Sequence, residues 1–170
     1  AAVNYYFGSK TELLLYLLRH RFEQLDQELL KRINAAEVRA EGGIPSIRDL
    51  AAAYFDTLAF LGFNEETGEL DPFILLIQRA SAEQETLLES AQDYTAPGIS
   101  KMIDLMAVSV PAERRKDLDE RALMGLLFTS SVAAMPSMSM ANKNEVLYSA
   151  IRDFLFDGLE AFFARFSKDI

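Results

Sequence analysis

An all-α fold is predicted by three observations. Apolar residues recur at spacings of three and four along most of the chain, no stretch sustains the alternation of a strand, and capping pairs mark where the periodic segments start. The first long element begins at the clearest of these signals. Gly8 permits the backbone angle that stops a preceding helix, and Ser9 with Glu12 three residues on makes a capping box for the next one. From Lys10 to about Ala36, Leu14, Leu18, Phe22, Leu25, Leu29 and Ile33 form one buried stripe, while Leu13 and Leu17 form a second face. Two faces suit a helix that packs on one body at its start and on another further along.

The remaining elements follow in order. Arg39 to Ile44, with Gly42 and Gly43, reads as a loop, and Pro45 with Ser46 opens a helix running to about Phe60 and closed by Gly62. Asn64 to Leu70 is a polar, acidic loop. Asp71 and Pro72 then make a cap and first-turn pair for Phe73 to Arg79, and Ser81 with Gln84 offers a further capping box. The helix beyond it meets Thr95-Ala96-Pro97-Gly98, which breaks it before Ile99 to Val110. Two apolar helices close the chain, from about Leu118 to Met135 and from Glu145 to Phe166. Domain organisation divides at residue 35: residues 1–35 hold a helix end and a connecting helix, and residues 36–170 form the main helical domain.

Composition narrows the function. With 170 residues, half of them hydrophobic, the chain buries a substantial core as one domain. It has no cysteine, which excludes a disulfide scaffold, a thiolate metal site and a cysteine nucleophile, and suits a reducing cytoplasm. The longest apolar run, Ala122 to Met135, is too short to span a bilayer and contains Gly125, Thr129, Ser130 and Ser131, so it reads as a core helix. The net charge of −9 is unevenly placed: residues 1–34 hold five Lys or Arg against four Asp or Glu, and the rest hold twelve against twenty-two. An acidic body is repelled by DNA, so any nucleic-acid contact belongs to the N-terminal edge, where Lys10, Arg19, His20 and Arg21 lie.

Catalytic chemistry is hard to assemble from this sequence. His20, the one histidine, lies between two arginines without a base or metal partner nearby, and is expected to be solvated. Glu85, Glu89 and Asp93 share a helix face that reads as a solvated acidic surface. Ser130 and Ser131 lack a base, and there is no phosphate loop or dinucleotide fingerprint. No enzyme activity, no metal and no cofactor is expected.

The last helix has a wide apolar arc, through Val146, Leu147, Ile151, Phe154, Leu155, Leu159, Phe162, Phe163 and Phe166. That breadth predicts burial on two sides, by the chain's own core and by a second copy. Small residues at Gly125, Ser130, Ala134 and Gly158 let helices approach closely. A two-fold interface of four helices is expected, with Leu126, Ser130, Ala134, Leu147, Ile151, Phe154, Leu155, Gly158 and Phe162 on it.

The ordered string Asn4-Tyr5-Tyr6-Phe7-Gly8-Ser9-Lys10, running into Thr11-Glu12-Leu13-Leu14, resembles the tetracycline-repressor-like (TetR/AcrR) family of bacterial transcription regulators. Their recognition helix typically ends in an aromatic pair, Phe, a small turn and Lys before a Leu-rich helix. Asn4 departs from the pattern, standing where the family usually carries Tyr. The motif covers about a tenth of the chain. The resemblance implies that Asn4, Tyr5, Tyr6 and Lys10 contact DNA, the tyrosine hydroxyls and Lys10 reaching phosphates and Asn4 a base edge or the backbone. It implies a connecting helix from Lys10 whose tilt moves the DNA-binding heads, and a dimer made by the last two helices. A helix-turn-helix needs two scaffold helices that do not stand before Ala1 here, so operator binding is expected to need residues upstream.

The same resemblance places Phe55, Leu58, Phe73, Ile77, Met102, Met106, Met124 and Phe128 around an inducer cavity. Flexible apolar side chains suit a greasy, variable effector, although Met and Phe at helical spacing equally make an ordinary core. Arg79 could meet a ligand carboxylate, but a salt bridge to Glu83 four residues on is the stronger expectation. The expectation is a cytoplasmic, homodimeric regulator, a repressor released by a small apolar or amphipathic effector. Its rivals are a helical carrier of a hydrophobic ligand and a purely structural dimerisation module.

Overall fold

A computed structural model of the chain describes residues 9–64, 67, 69–74, 96–117, 119, 123, 127, 130–131, 134–135, 137–138 and 144–167. Within them the architecture is all-α.

Helix α1, Lys10–Arg39, starts where the Ser9 signal puts it. The Ser9 hydroxyl accepts the Glu12 backbone N–H at 3.1 Å, satisfying a donor that the first turn leaves orphaned. The helix runs three residues past the expected end. Ala40 N–H still reaches Ala36 O, and the turn comes only at Glu41 and Gly42, both with positive φ (51° and 85°). Leu18, Leu25, Leu29 and Ile33 are fully or nearly fully buried, and Leu14 and Phe22 pack against the same core, as the stripe predicts. Each such burial contributes roughly 1.5–3 kcal/mol.

Helix α2, Ile47–Gly62, opens on a complete capping box. Asp49 N–H donates to Ser46 Oγ at 3.1 Å, and Ser46 N–H donates back to Asp49 Oδ2 at 3.2 Å. It is Gly62, at the helix end, that lets the core close here: a Cβ there would sit 2.6 Å from the Met135 sulfur and 3.2 Å from Ile74. The expected loop after it is more ordered than polarity implied. Phe63 and Leu70 form an isolated antiparallel bridge, and Asn64 N–H donates to Glu69 O at 2.8 Å. Asp71 then caps the turn at Pro72, accepting the Phe73 N–H at 2.7 Å. Phe73 and Ile74 are buried.

Helix α3 spans Pro97–Val108, two residues earlier at each end than the sequence predicts. Proline has no N–H to lose at the first helical position and its φ is already helical, so it begins the helix instead of delaying it. A 3₁₀ turn follows at Ala112–Asp117, where Arg115 Nε bonds Val110 O at 3.0 Å. The described residues between 123 and 138 are helical, with Leu123, Leu127, Ser131, Met135 and Met138 buried; helical geometry thus reaches past the expected end at Met135. Helix α4, Glu145–Ser167, is capped by Asn144, whose Oδ1 accepts the Leu147 N–H at 3.1 Å.

The tertiary arrangement places α1 against α2 and α3, and α2 between α1 and α4. One apolar cluster joins α1, α2 and α3 with Phe73, Ile74, Leu123, Leu127, Met135 and Phe163. A smaller one joins Ala51 and Phe55 of α2 to Phe156 of α4 and to Met138.

Candidate functional site

The start of α1 is the first candidate surface. Lys10 is the first residue of the helix, and Asn4, Tyr5 and Tyr6, with the Lys10 side chain, lie outside the described residues. Just beyond them, Tyr16 and Leu17 stand exposed at 57% and 45%, as apolar side chains would on a face that another body covers. His20 is exposed as expected, yet it has neighbours. Its ring stacks on Tyr16 with centroids 6.5 Å apart, and its Nε2 lies 3.3 Å from the Gln24 amide nitrogen. Arg21 corrects the charge reading. It does not join a basic edge but pairs with Asp71 at 3.1 Å and lies 5.7 Å over the Phe73 ring. The bland acidity of residues 64–71 hid this partner, fifty residues away.

The eight expected cavity residues divide. Leu58, Phe73, Met102 and Met106 meet in the larger cluster, where both methionines are fully buried. Phe55 belongs to the smaller cluster, edge-to-face with Phe156 at 5.9 Å. Ile77, Met124 and Phe128 lie outside the described residues, as do Arg79, Glu83, Glu85, Glu89 and Asp93. A groove of about 510 Å³ does open elsewhere, between α1 and the end of α2, lined by Arg21, Gln24, Gln27, Glu28, Lys31, Phe60 and Leu61. Its walls mix five polar or charged side chains with Phe60 and Leu61, unlike the wholly apolar lining expected.

The α4 surface carries the expected dimer residues in two sets. Leu147 and Phe154 are exposed, Phe154 at 78%, and nothing stands within 4 Å of where a Cβ on Gly158 would project. With the exposed Val146, Ala150 and Ala161 they make an outward stripe at helical spacing. Ile151, Leu155 and Phe162 instead turn partly inward against the chain's own clusters. A helix has one outward face, and the expected arc took in both sides. Among the other members, Ser130 Oγ donates to Leu127 O at 3.2 Å, Ala134 is half-buried, and Leu126 lies outside the described residues.

Charges hold α4 to α2. Arg48 reaches Asp153 at 2.6 Å, Asp157 at 2.7 Å and Glu160 at 3.5 Å, three carboxylates on successive turns of one face. The hydrogen bond to Asp157 keeps its guanidinium charged to still higher pH than usual. Arg152 pairs with Asp56 at 3.3 Å, and the two guanidiniums lie 5.4 and 5.3 Å from the Phe156 ring.

Sequence reasoning missed Asp26. This aspartate is 2% exposed in the middle of α1, and its carboxylate accepts the backbone N–H groups of Gly98 and Ile99 at 3.0 Å each. A second polar clasp joins the same helices where the Lys101 ammonium meets Glu37 at 2.6 Å and Asn34 at 2.8 Å. One signal was available: Asp26 lies four residues after Phe22 and three before Leu29, so it sits on the buried stripe, where an unpaired carboxylate is costly.

Among the described residues, no group of three or more His, Asp or Glu could hold a metal ion, and no helix is long and apolar enough to cross a membrane. Comparison with known proteins finds no matching family model, no matching curated protein and no matching solved structure.

Proposed function

We propose that this chain is the sensing and dimerising body of a TetR-like DNA-binding transcription regulator, a repressor whose operator affinity falls when a small apolar or amphipathic effector binds among the helices. The observation that carries this reading is α1. It starts at the Ser9 cap, directly after the string Asn4 to Gly8. Its first turns leave Tyr16 and Leu17 exposed, and its later turns are sunk into the core. A 30-residue helix spans about 45 Å, long enough to carry a tilt at one end into a displacement at the other. The outward stripe of Leu147, Phe154 and Gly158 supports a second copy against α4. The effector is then expected to favour a helix arrangement that moves the two Lys10 ends away from the spacing of successive major grooves.

The test is selection of bound genomic fragments by the protein as expressed from its gene. The reading predicts one or a few palindromic sites with half-sites centred about one helical turn, roughly 34–36 Å, apart. Binding that is only sequence-independent and fades with salt would overturn it.

One observation favours a second reading. Leu58, Met102 and Met106 are buried against one another and the surrounding core, as they would be in a dimerisation module that takes no ligand. Denaturing extraction of the purified protein separates the two. A stoichiometric small molecule supports the regulator, and an empty protein whose stability no apolar compound raises supports the module.

A further inference from the structure

The N-terminus of α3 has no cap of its own. Ala96 occupies the N-cap position and has no side chain to accept a first-turn N–H, and Pro97 brings none to be satisfied. The next two amides, Gly98 and Ile99, donate instead to Asp26, a residue 72 and 73 positions earlier on another helix. Packing tightens the same point. A Cβ on Gly98 would lie 2.6 Å from the Asp26 carbonyl oxygen and 3.1 Å from the Leu30 nitrogen, so α3 enters directly against the α1 backbone. Five residues before Asp26, Arg21 holds Asp71. Asp71 and Gly98 are thus both anchored to α1, at residues five positions and little more than one turn apart.

The two anchors differ in kind. Arg21 and Asp71 are partly exposed, and water can replace either partner when they separate. Asp26 is buried, so drawing α3 away breaks both of its hydrogen bonds to backbone amides at a site with little access to water. Leaving that contact unmade is the costlier outcome.

We propose that Asp26 is the positioning residue that locks the entry of α3 to α1, so that a shift of the chain at Pro97 becomes a shift of α1. Its regulatory meaning, passing an effector-driven shift to the Lys10 end, rests on the regulator reading above. The mechanical coupling stands apart from it and is tested without DNA or effector.

The chain has no cysteine, so spin labels can be placed cleanly at Arg19→Cys on α1 and Asp104→Cys on α3, both exposed positions, and diluted with unlabelled protein. Pulsed dipolar spectroscopy then reads the α1 to α3 distance distribution. Asp26→Asn keeps the shape but exchanges one acceptor oxygen for a donor facing an N–H. It is expected to broaden the distribution to about twice the starting width and to lower Tm by roughly 2–10 °C. Adding Ala96→Asp gives α3 a local cap, which should restore most of the Tm and leave the distribution broad, a result that loss of stability alone would not produce. A distribution as narrow as the parent's in Asp26→Asn, or renarrowed by Ala96→Asp, would overturn the proposal. So would failure of both variants to fold, because Asp26 would then be a residue of stability and not of coupling. If the coupling holds while genomic selection finds no operator, the regulator reading fails and the lock survives.

Discussion

The junction of α1 with α3 and the seam of α2 with α4 both join helices through carboxylates, and they do it under opposite conditions. At the junction one aspartate, 2% exposed, accepts two backbone amides. At the seam Arg48 meets three carboxylates that are each about half or more exposed, and Arg152 and Asp56 are only partly covered. The junction's contacts are few, directional and costly to break, whereas the seam's are numerous and screened by salt. The polar links thus differ in kind: a buried one between α1 and the helix that follows Pro97, and partly exposed ion pairs along α4, whose Phe156 and Phe163 are sunk in the core.

The largest expected effect breaks the fixed side. Met102→Ala empties a fully buried site between α1 and α3, and urea unfolding should show a loss of roughly 2–5 kcal/mol with little change in m-value. Gly98→Ala comes next, because its new methyl would press on the Asp26 carbonyl, a backbone atom that cannot rotate away. A loss of roughly 1–3 kcal/mol is expected by the same measurement.

These expectations could not have been drawn from the sequence alone, and the reason is physical. Caps were legible because Ser9, Ser46 and Asp71 bond N–H groups within three residues, and the α1 stripe was legible because its period belongs to the helix. Asp26 with Gly98, Arg21 with Asp71 and Arg48 with Asp157 join residues 50 to 109 apart, and helical periodicity names a face without naming its partner. The α4 arc shows the same limit. Periodicity placed Ile151 and Phe154 on one broad surface, and only the position of α2 shows that the first turns inward and the second outward. Three of the eight expected cavity residues, Ile77, Met124 and Phe128, lie outside the described residues.

Alkaline pH sharpens the contrast between buried and exposed groups. Burial pushes the Tyr54 hydroxyl on α2 well above its ordinary 10.0, so the folded protein keeps a proton that the unfolded chain releases. Stability held below pH 10 should fall as the pH rises beyond it, by up to about 1.4 kcal/mol per pH unit for this group. Tyr148, raised mainly by its own partial burial, adds a weaker loss of the same sign. Tyr54→Phe should flatten the slope, read from unfolding midpoints between pH 9 and pH 11.

The smallest effect belongs to the seam. Arg48→Ala should lower Tm slightly in dilute buffer, and the difference from the parent should fade as salt approaches about 1 M, where the Debye length is roughly 3 Å. The Met102→Ala deficit should persist over the same range. A salt-insensitive Arg48 effect would show that the seam is as fixed as the junction.

The outward stripe of α4 is where the proposed two-fold pairing would form. Native mass spectrometry of the chain, beside a Phe154→Glu variant, tests that pairing. A dimer is expected for the parent and a monomer of unchanged helicity for the variant, since a charge would be buried at the middle of the interface. A parent chain that is monomeric at micromolar concentration, or a variant that dimerises equally well, would contradict it.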